Sequence, residues 1–225
     1  MMQLNNDFTQ RVVVHGTQLP WQPSPIAGVE RRMFDRLGDE VARATSIVRY
    51  AANSQFSPHV HGAGEEFLVL EGVFQDEHGD YPVGSYVRNP PTSSHTPSSQ
   101  LGCVIFVKLR QFDLGDRTEV RLNINDPAVT WKTDDLGAKV ITLFQDEREE
   151  VRVEQWSANT TIEIEAAGGA ELLVLSGSLT ESEDELTTYS WLRVPINSQI
   201  IARTGAQGAK VWLKTGHIAT MNPEE

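Results

Sequence analysis

The segment Gly64-Glu65-Glu66-Phe67-Leu68-Val69-Leu70-Glu71-Gly72 comes back as Gly169-Ala170-Glu171-Leu172-Leu173-Val174-Leu175-Ser176-Gly177, with six of nine positions identical at a shift of 105 residues. The same shift superposes Arg88 on Arg193, Pro90 on Pro195 and Ser93 on Ser198, and one residue more aligns 102–108 with 208–214. A repeat this long is a duplicated domain, since solenoid periods run about 20–50 residues. The 225 residues therefore predict two similar domains, 1–117 and 118–225, meeting in the polar stretch 113–125.

Both copies read as β. Short β-branched and aromatic runs, among them 11–15, 45–50, 67–71, 104–109, 151–156, 161–165, 191–194 and 211–214, are separated by Gly, Asn, Asp or Pro. Val29, Met33, Leu37 and Val41 recur every four residues, which fits a helix, but Gly38-Asp39 between them favours a turn joining two strands. Many short strands without a long helix predict sandwiches or barrels. The acidic run 181–185 is read as a solvated hairpin tip.

The first copy holds the metal-type chemistry. In the stretch Pro58-His59-Val60-His61-Gly62-Ala63-Gly64-Glu65 the two imidazoles are two residues apart, so on a strand they point the same way, and Glu65 shares their parity. Gly62 and Gly64 allow the chain to turn between them, and Pro58 restrains the approach. His95, set among turn residues, is the fourth candidate. Two or three imidazoles and a carboxylate suit zinc, iron(II), manganese, cobalt or nickel. Phe67 and Val69 share the parity of Glu65 and are expected to wall the site. Tyr86 and Arg88 alternate on the strand leading to His95; they either line the pocket mouth and hold an anionic ligand or play an ordinary cross-strand role.

These residues resemble the two motifs of the cupin superfamily. The first, G-x5-H-x-H-x3,4-E-x6-G, runs from Asn53 through His59, His61 and Glu65 to Gly72, and the second, G-x5-P-x-G-x2-H-x3-N, runs from Gly84 through Pro90, Thr92 and His95 to Ser99. Asn53, Thr92 and Ser99 depart from the motifs at turn positions, and no ligand is lost. Over about residues 10–112 the chain also resembles the cupin domain of ChrR-type anti-sigma factors, on Trp21, Gly28-Val29, the His59–Gly72 motif, Asp76-Glu77-His78-Gly79-Asp80-Tyr81 and Tyr86-Val87-Arg88-Asn89-Pro90-Pro91. The resemblance implies an all-β fold of two tandem cupin barrels (double-stranded β-helix, jelly-roll) packed as a pseudo-dimer. It implies one divalent transition metal (Zn, Fe, Mn or Ni) on His59, His61, Glu65 and His95. It also implies a small molecule bound or sensed at that metal. The alternative is a metal-dependent dioxygenase acting on a small carbonyl or enol compound. Full ChrR-type regulators add a helical zinc domain that sequesters a sigma factor; residues 1–20 and a single cysteine offer none, so sigma-factor release would need a separate protein partner.

The second copy lacks the site. At the 105-residue shift His59, His61, Glu65 and His95 fall on Ile164, Ala166, Ala170 and Ile200, so its interior is expected to be filled. His15, His78 and His217 show no partner spacing and are read as surface residues, and Cys103, among apolar neighbours, as a buried inert thiol. A net charge of −12 without basic clusters argues against nucleic acid. No apolar run reaches the ~18 residues a membrane helix needs, and the first residues show neither a basic nor an apolar leader region. The reading is cytoplasmic, with a small-molecule ligand, and with a regulatory protein or a second copy of the chain as further partners.

Overall fold

A computed structural model describes residues 1–134 and 137–221. The chain divides into two compact units, one of residues 1–6 and 20–129 and the other of residues 7–19 and 130–225. Among the described residues the elements are strands apart from two short 3-10 turns, and no helix is long and apolar enough to cross a membrane.

The main sheet of the first unit runs Gln3–Leu4, Val29–Leu37, Arg43–Tyr50, Cys103–Leu109, Glu65–Asp76, Ser85–Asn89, Val120–Asn123. Gly38 takes φ 115° between Val29–Leu37 and Arg43–Tyr50, so the four-residue periodicity there belongs to a hairpin, as the Gly-Asp pair indicated. Short pairs complete the barrel: Ser54–Gln55 with Ser98–Ser99, and His59–Val60 with Ser94–His95. Its interior is closed by Val29, Val48, Phe67, Val69, Phe74, Tyr81, Val87, Cys103, Ile105 and Val107.

The second unit repeats this plan. Ala170–Glu181, Asp184–Thr187 and Ser190–Val194 stand 105 residues after Glu65–Asp76, Gly79–Pro82 and Ser85–Asn89. The run 181–185 forms the expected hairpin tip, turning at Ser182 with φ 54°, but Glu181 at its start is buried against Arg11 rather than solvated. Ile164, Ala166, Ala170 and Ile200, the counterparts of the four candidate ligands, are all buried in one apolar cluster.

The cut at residue 117 is not where the sheets part. Val120–Asn123 pairs with Ser85–Asn89, which keeps it in the first unit. Val12–His15 pairs with Ser190–Val194, which places it in the second. The two additions are equivalent, because Arg88 faces Val120 and its repeat partner Arg193 faces Val12. The polar stretch in which the two copies are expected to meet thus contains the strand that covers a sheet edge.

The same bulge interrupts the long strand of each copy, between Val104 and Ile105 in the first register and between Val174 and Ser176 in the second. Gly72 (φ 70°) and Gly177 (φ 77°) sit there, and a Cβ on either would collide with a carbonyl oxygen, of Gly102 or Gly208. Positive φ also recurs at Asn53 and Asn159, and at Thr92 (φ 75°) and Asn197 (φ 57°). Thr92 is the strained member, because a β-branched residue tolerates this region worst.

Two stability changes follow. Gly72→Ala is expected to destabilise the first unit by about 2–4 kcal/mol in urea unfolding, through left-handed strain and the carbonyl collision. Thr92→Asn, which installs the residue the second copy uses, is expected to stabilise it by about 1 kcal/mol.

Candidate metal centre

His59 and His95 are directly paired across the short strands His59–Val60 and Ser94–His95. The His61 amide donates to the Ser93 carbonyl at 2.9 Å and the Thr92 amide to the His61 carbonyl at 2.8 Å. These bonds tie the ligand-bearing stretch to the turn preceding His95. Gly64 at φ 82° sends the chain on to Glu65, and the Phe112 ring fills the space its Cβ would occupy. One ligand atom from each of His59, His61, Glu65 and His95 lies within 4.8 Å of all the others. The imidazole centroids are 4.6–5.1 Å apart with their planes nearly perpendicular. His61, Glu65 and His95 are buried and His59 is exposed, so the cluster opens at His59.

Polar neighbours orient the two nitrogens of each ring. The Ser93 hydroxyl donates its single proton to the Pro90 carbonyl at 2.6 Å, so it accepts from His61 Nδ1 at 3.0 Å. His59 Nδ1 lies 3.4 Å from the Ser57 carbonyl, and His95 Nδ1 lies 3.4 Å from the Asp76 carboxylate; both are acceptors only. All three rings therefore turn Nδ1 outward towards an acceptor and leave Nε2 for the centre of the cluster. His61 Nε2 and His95 Nε2 lie 3.3 Å and 3.6 Å from the same oxygen, Glu65 Oε2. Both are buried nitrogens with no hydrogen-bond partner, a cost that a bound cation would relieve.

The carboxylate is held ionised. Burial pushes the Glu65 carboxyl up, but the His61 and His95 imidazoles beside it, with the Asn89 amide, outweigh it and bring it to about 2. Asn89 Nδ2 donates to Glu65 Oε2 at 3.1 Å from the facing position on Ser85–Asn89. Burial works first against the Asp76 carboxylate too, and the bonds from His95, the His78 amide and Tyr81 outweigh it, so it sits below the usual carboxylate range. Burial, followed by the Glu65 charge, pushes the Tyr50 phenol up, so Tyr50 stays a neutral O–H group.

Phe67 is buried in the barrel interior as its parity implied; its ring packs on Phe74 at 4.6 Å, and Phe74 lies 5.8 Å from His95. Phe74 and Tyr50, whose rings are 5.7 Å apart, therefore stand nearer the centre than the sequence indicated. Strict alternation from Glu65 puts Phe74 outside, and the bulge reverses it.

Tyr86 and Arg88 do not line the pocket. They face Leu68 and Glu66 across the sheet, on the side opposite Phe67 and Val87. The Tyr86 hydroxyl donates to Glu66 at 2.6 Å, and Arg88 pairs with Asp116 at 2.8 Å and lies over Phe112. Trp191 and Arg193 do the same in the copy without ligands, where Trp191 Nε1 donates to Glu171 at 3.2 Å and Arg193 lies over Phe8. This is a structural layer, and of the two roles left open for Tyr86 and Arg88 the cross-strand one holds. His217 is not a surface residue either: it is buried with Nε2 3.0 Å from Glu171. His78 is exposed and His15 half-buried beside Ser190. Cys103 is buried, and burial pushes its thiol up to about 11, leaving it protonated and unreactive.

The ChrR cupin-like domain family matches residues 9–113. No curated protein matches the chain in sequence. Among solved structures, a protein of Nostoc punctiforme with a provisional dioxygenase assignment superposes with a TM-score of 0.70 at 12% identity, covering 99% of this chain and 85% of its own. The Escherichia coli pirin YhhW in complex with nickel(II) gives 0.65 at 13% identity, covering 92% and 98%. The coconut allergen cocosin gives 0.68 at 11% identity, covering 94% and 87%. At these identities the likeness is one of fold, and it spans both barrels. The fold is thus that of two tandem cupin barrels, and residues 9–113 match the ChrR cupin-like domain family.

Proposed function

We propose that the first barrel binds one divalent transition metal through His59, His61, Glu65 and His95 and, at that metal, recognises a small oxygen-bearing molecule. The observation that carries this reading is the convergence of three Nε2 atoms and one carboxylate oxygen, with each Nδ1 turned away towards an acceptor. Imidazole and carboxylate donors fit Zn, Fe, Mn or Ni, and the nickel-bound pirin of the same fold supports such a centre. Four protein ligands leave a five- or six-coordinate ion one or two positions for a ligand atom, the arrangement of an open site rather than a closed structural one. When bound, the ion supplies a Lewis acid for that oxygen. The chain does the rest. Asn89 fixes the Glu65 carboxylate, Phe74 and Phe67 keep the inner wall apolar, and the exposed His59 edge is the side of entry.

The ChrR match favours sensing, with a separate protein partner reading the occupied state. The second reading, dioxygenase chemistry on a small carbonyl or enol compound, is favoured by the Nostoc neighbour's assignment and by the open position. In either reading the second barrel serves the fold, because apolar residues fill its four ligand positions.

Protein purified without added metal is expected to carry about one transition-metal ion per chain by elemental analysis. His61→Ala abolishes this content and His15→Ala leaves it intact; equal content in both variants would show the site misplaced. At free ion about 100 times the dissociation constant, metal stabilises the first unit by about 2.7 kcal/mol, and a chelator reverses the gain. Oxygen uptake by the iron(II) form over a panel of β-diketones and flavonols separates the two readings: sensing expects none, and turnover of any of them establishes the enzyme.

A further inference from the structure

We infer that Asp76 is a positioning residue that holds His95 in the one tautomer and orientation fit to ligate, an inference that rests on the metal reading of the first barrel. The Asp76 side chain is fully buried and its Oδ2 lies 3.4 Å from His95 Nδ1. An ionised carboxylate only accepts, so it keeps the His95 proton on Nδ1 and turns the Nε2 lone pair towards Glu65 Oε2, 3.6 Å away. Of the three rings, only His95 has a charged acceptor behind it; His61 has the Ser93 hydroxyl and His59 a carbonyl.

Asp76 is itself held in place. Its Oδ1 accepts from the His78 amide at 2.8 Å and from the Tyr81 hydroxyl at 3.1 Å. The Tyr81 oxygen accepts from Arg121 Nε at 3.1 Å, and Arg121 pairs with Glu119 at 2.6 Å. The chain Arg121–Tyr81–Asp76–His95 thus runs from a partly exposed guanidinium on the edge strand to the candidate ligand, with Arg121 and Tyr81 donating inward and His95 Nδ1 facing Asp76 from the other side. The next residue grips the same turn, as Glu77 accepts from the Thr96 amide at 2.7 Å. Adjacent carboxylates on one hairpin therefore fix the His95 side chain and the backbone just after it.

The second barrel serves as an internal comparison. At the 105-residue shift Glu181 stands at Asp76 and Ile200 at His95. There the carboxylate pairs with Arg11, at 3.0 Å to Nε and 2.5 Å to Nη2. The copy without the imidazole has its carboxylate at this position engaged elsewhere.

Zinc alone is the probe, its affinity measured by competition with a chromophoric chelator on the full chain. Wild type is expected to bind and His95→Ala to lose most of its affinity. Asp76→Asn, whose amide can donate to His95 Nδ1 and so select the wrong tautomer, is expected to bind about 10–100-fold more weakly. Its metal-free circular dichroism should match wild type. Nitrogen-15 NMR of the zinc-loaded wild type is expected to show His95 ligated through Nε2 with a slowly exchanging Nδ1–H. Zinc affinity of Asp76→Asn within about threefold of wild type, or ligation of His95 through Nδ1, overturns the inference. If Asp76→Asn does not fold, the NMR result on wild type decides alone. A wild type that binds no zinc, or a His95→Ala that binds as wild type does, overturns the metal reading and this inference with it. That outcome differs from one in which His95→Ala fails and Asp76→Asn does not.

Discussion

The bulge in Glu65–Asp76 is the constraint on which the site depends. Side chains on a regular strand alternate, so Glu65 and Asp76, eleven positions apart in the sequence, would face opposite sides. One extra residue opposite Val104 and Ile105 reverses the alternation midway, and Gly72 closes the bulge against the Gly102 carbonyl in a conformation that costs any other residue dearly. Glu65, Phe67 and Val69 therefore enter the barrel from one half of the strand, and Phe74 and Asp76 from the other. Without that reversal the carboxylate at the start of the strand and the carboxylate behind His95 could not serve one cluster.

The duplicated plan separates what the fold requires from what the centre requires. Both copies keep the bulge, the positive-φ turns and the buried polar layer in which an aromatic side chain donates to a glutamate that sits opposite an arginine in the strand register: Tyr86, Glu66 and Arg88 in the first, Trp191, Glu171 and Arg193 in the second. Features shared by a copy with four candidate ligands and a copy with none belong to the fold. Features confined to the first copy are three convergent imidazoles, Glu65 held by Asn89, and the inward Asp76. In the second copy Ile164, Ala166, Ala170 and Ile200 stand at the four candidate-ligand positions, and there hydrophobic burial is the local source of stability.

Much of this is legible in the sequence, because it follows from local spacing. His-x-His on a strand, glycines before Glu65 and a repeat of 105 residues fix parity, turn and domain count without reference to distant parts of the chain. What escapes is non-local. The side faced by Tyr86 and Arg88 depends on which strand they pair with, and the inward turn of Phe74 and Asp76 depends on a bulge whose only trace is Gly72. The division of the chain at 117 fails for the same reason, since Val12–His15 and Val120–Asn123 are assigned by the edges they cover and not by their composition. His217 carried no spacing signal, and its partner Glu171 lies 46 residues away.

The central claim is that three Nε2 atoms and a Glu65 oxygen form one metal centre. X-ray absorption at the zinc edge of the loaded protein tests it most directly. The account expects a first shell of nitrogen and oxygen only, at about 2.0–2.2 Å. It also expects the outer-shell scattering pattern of three imidazoles. A sulfur scatterer at about 2.3 Å, or the signature of a single imidazole, would contradict it.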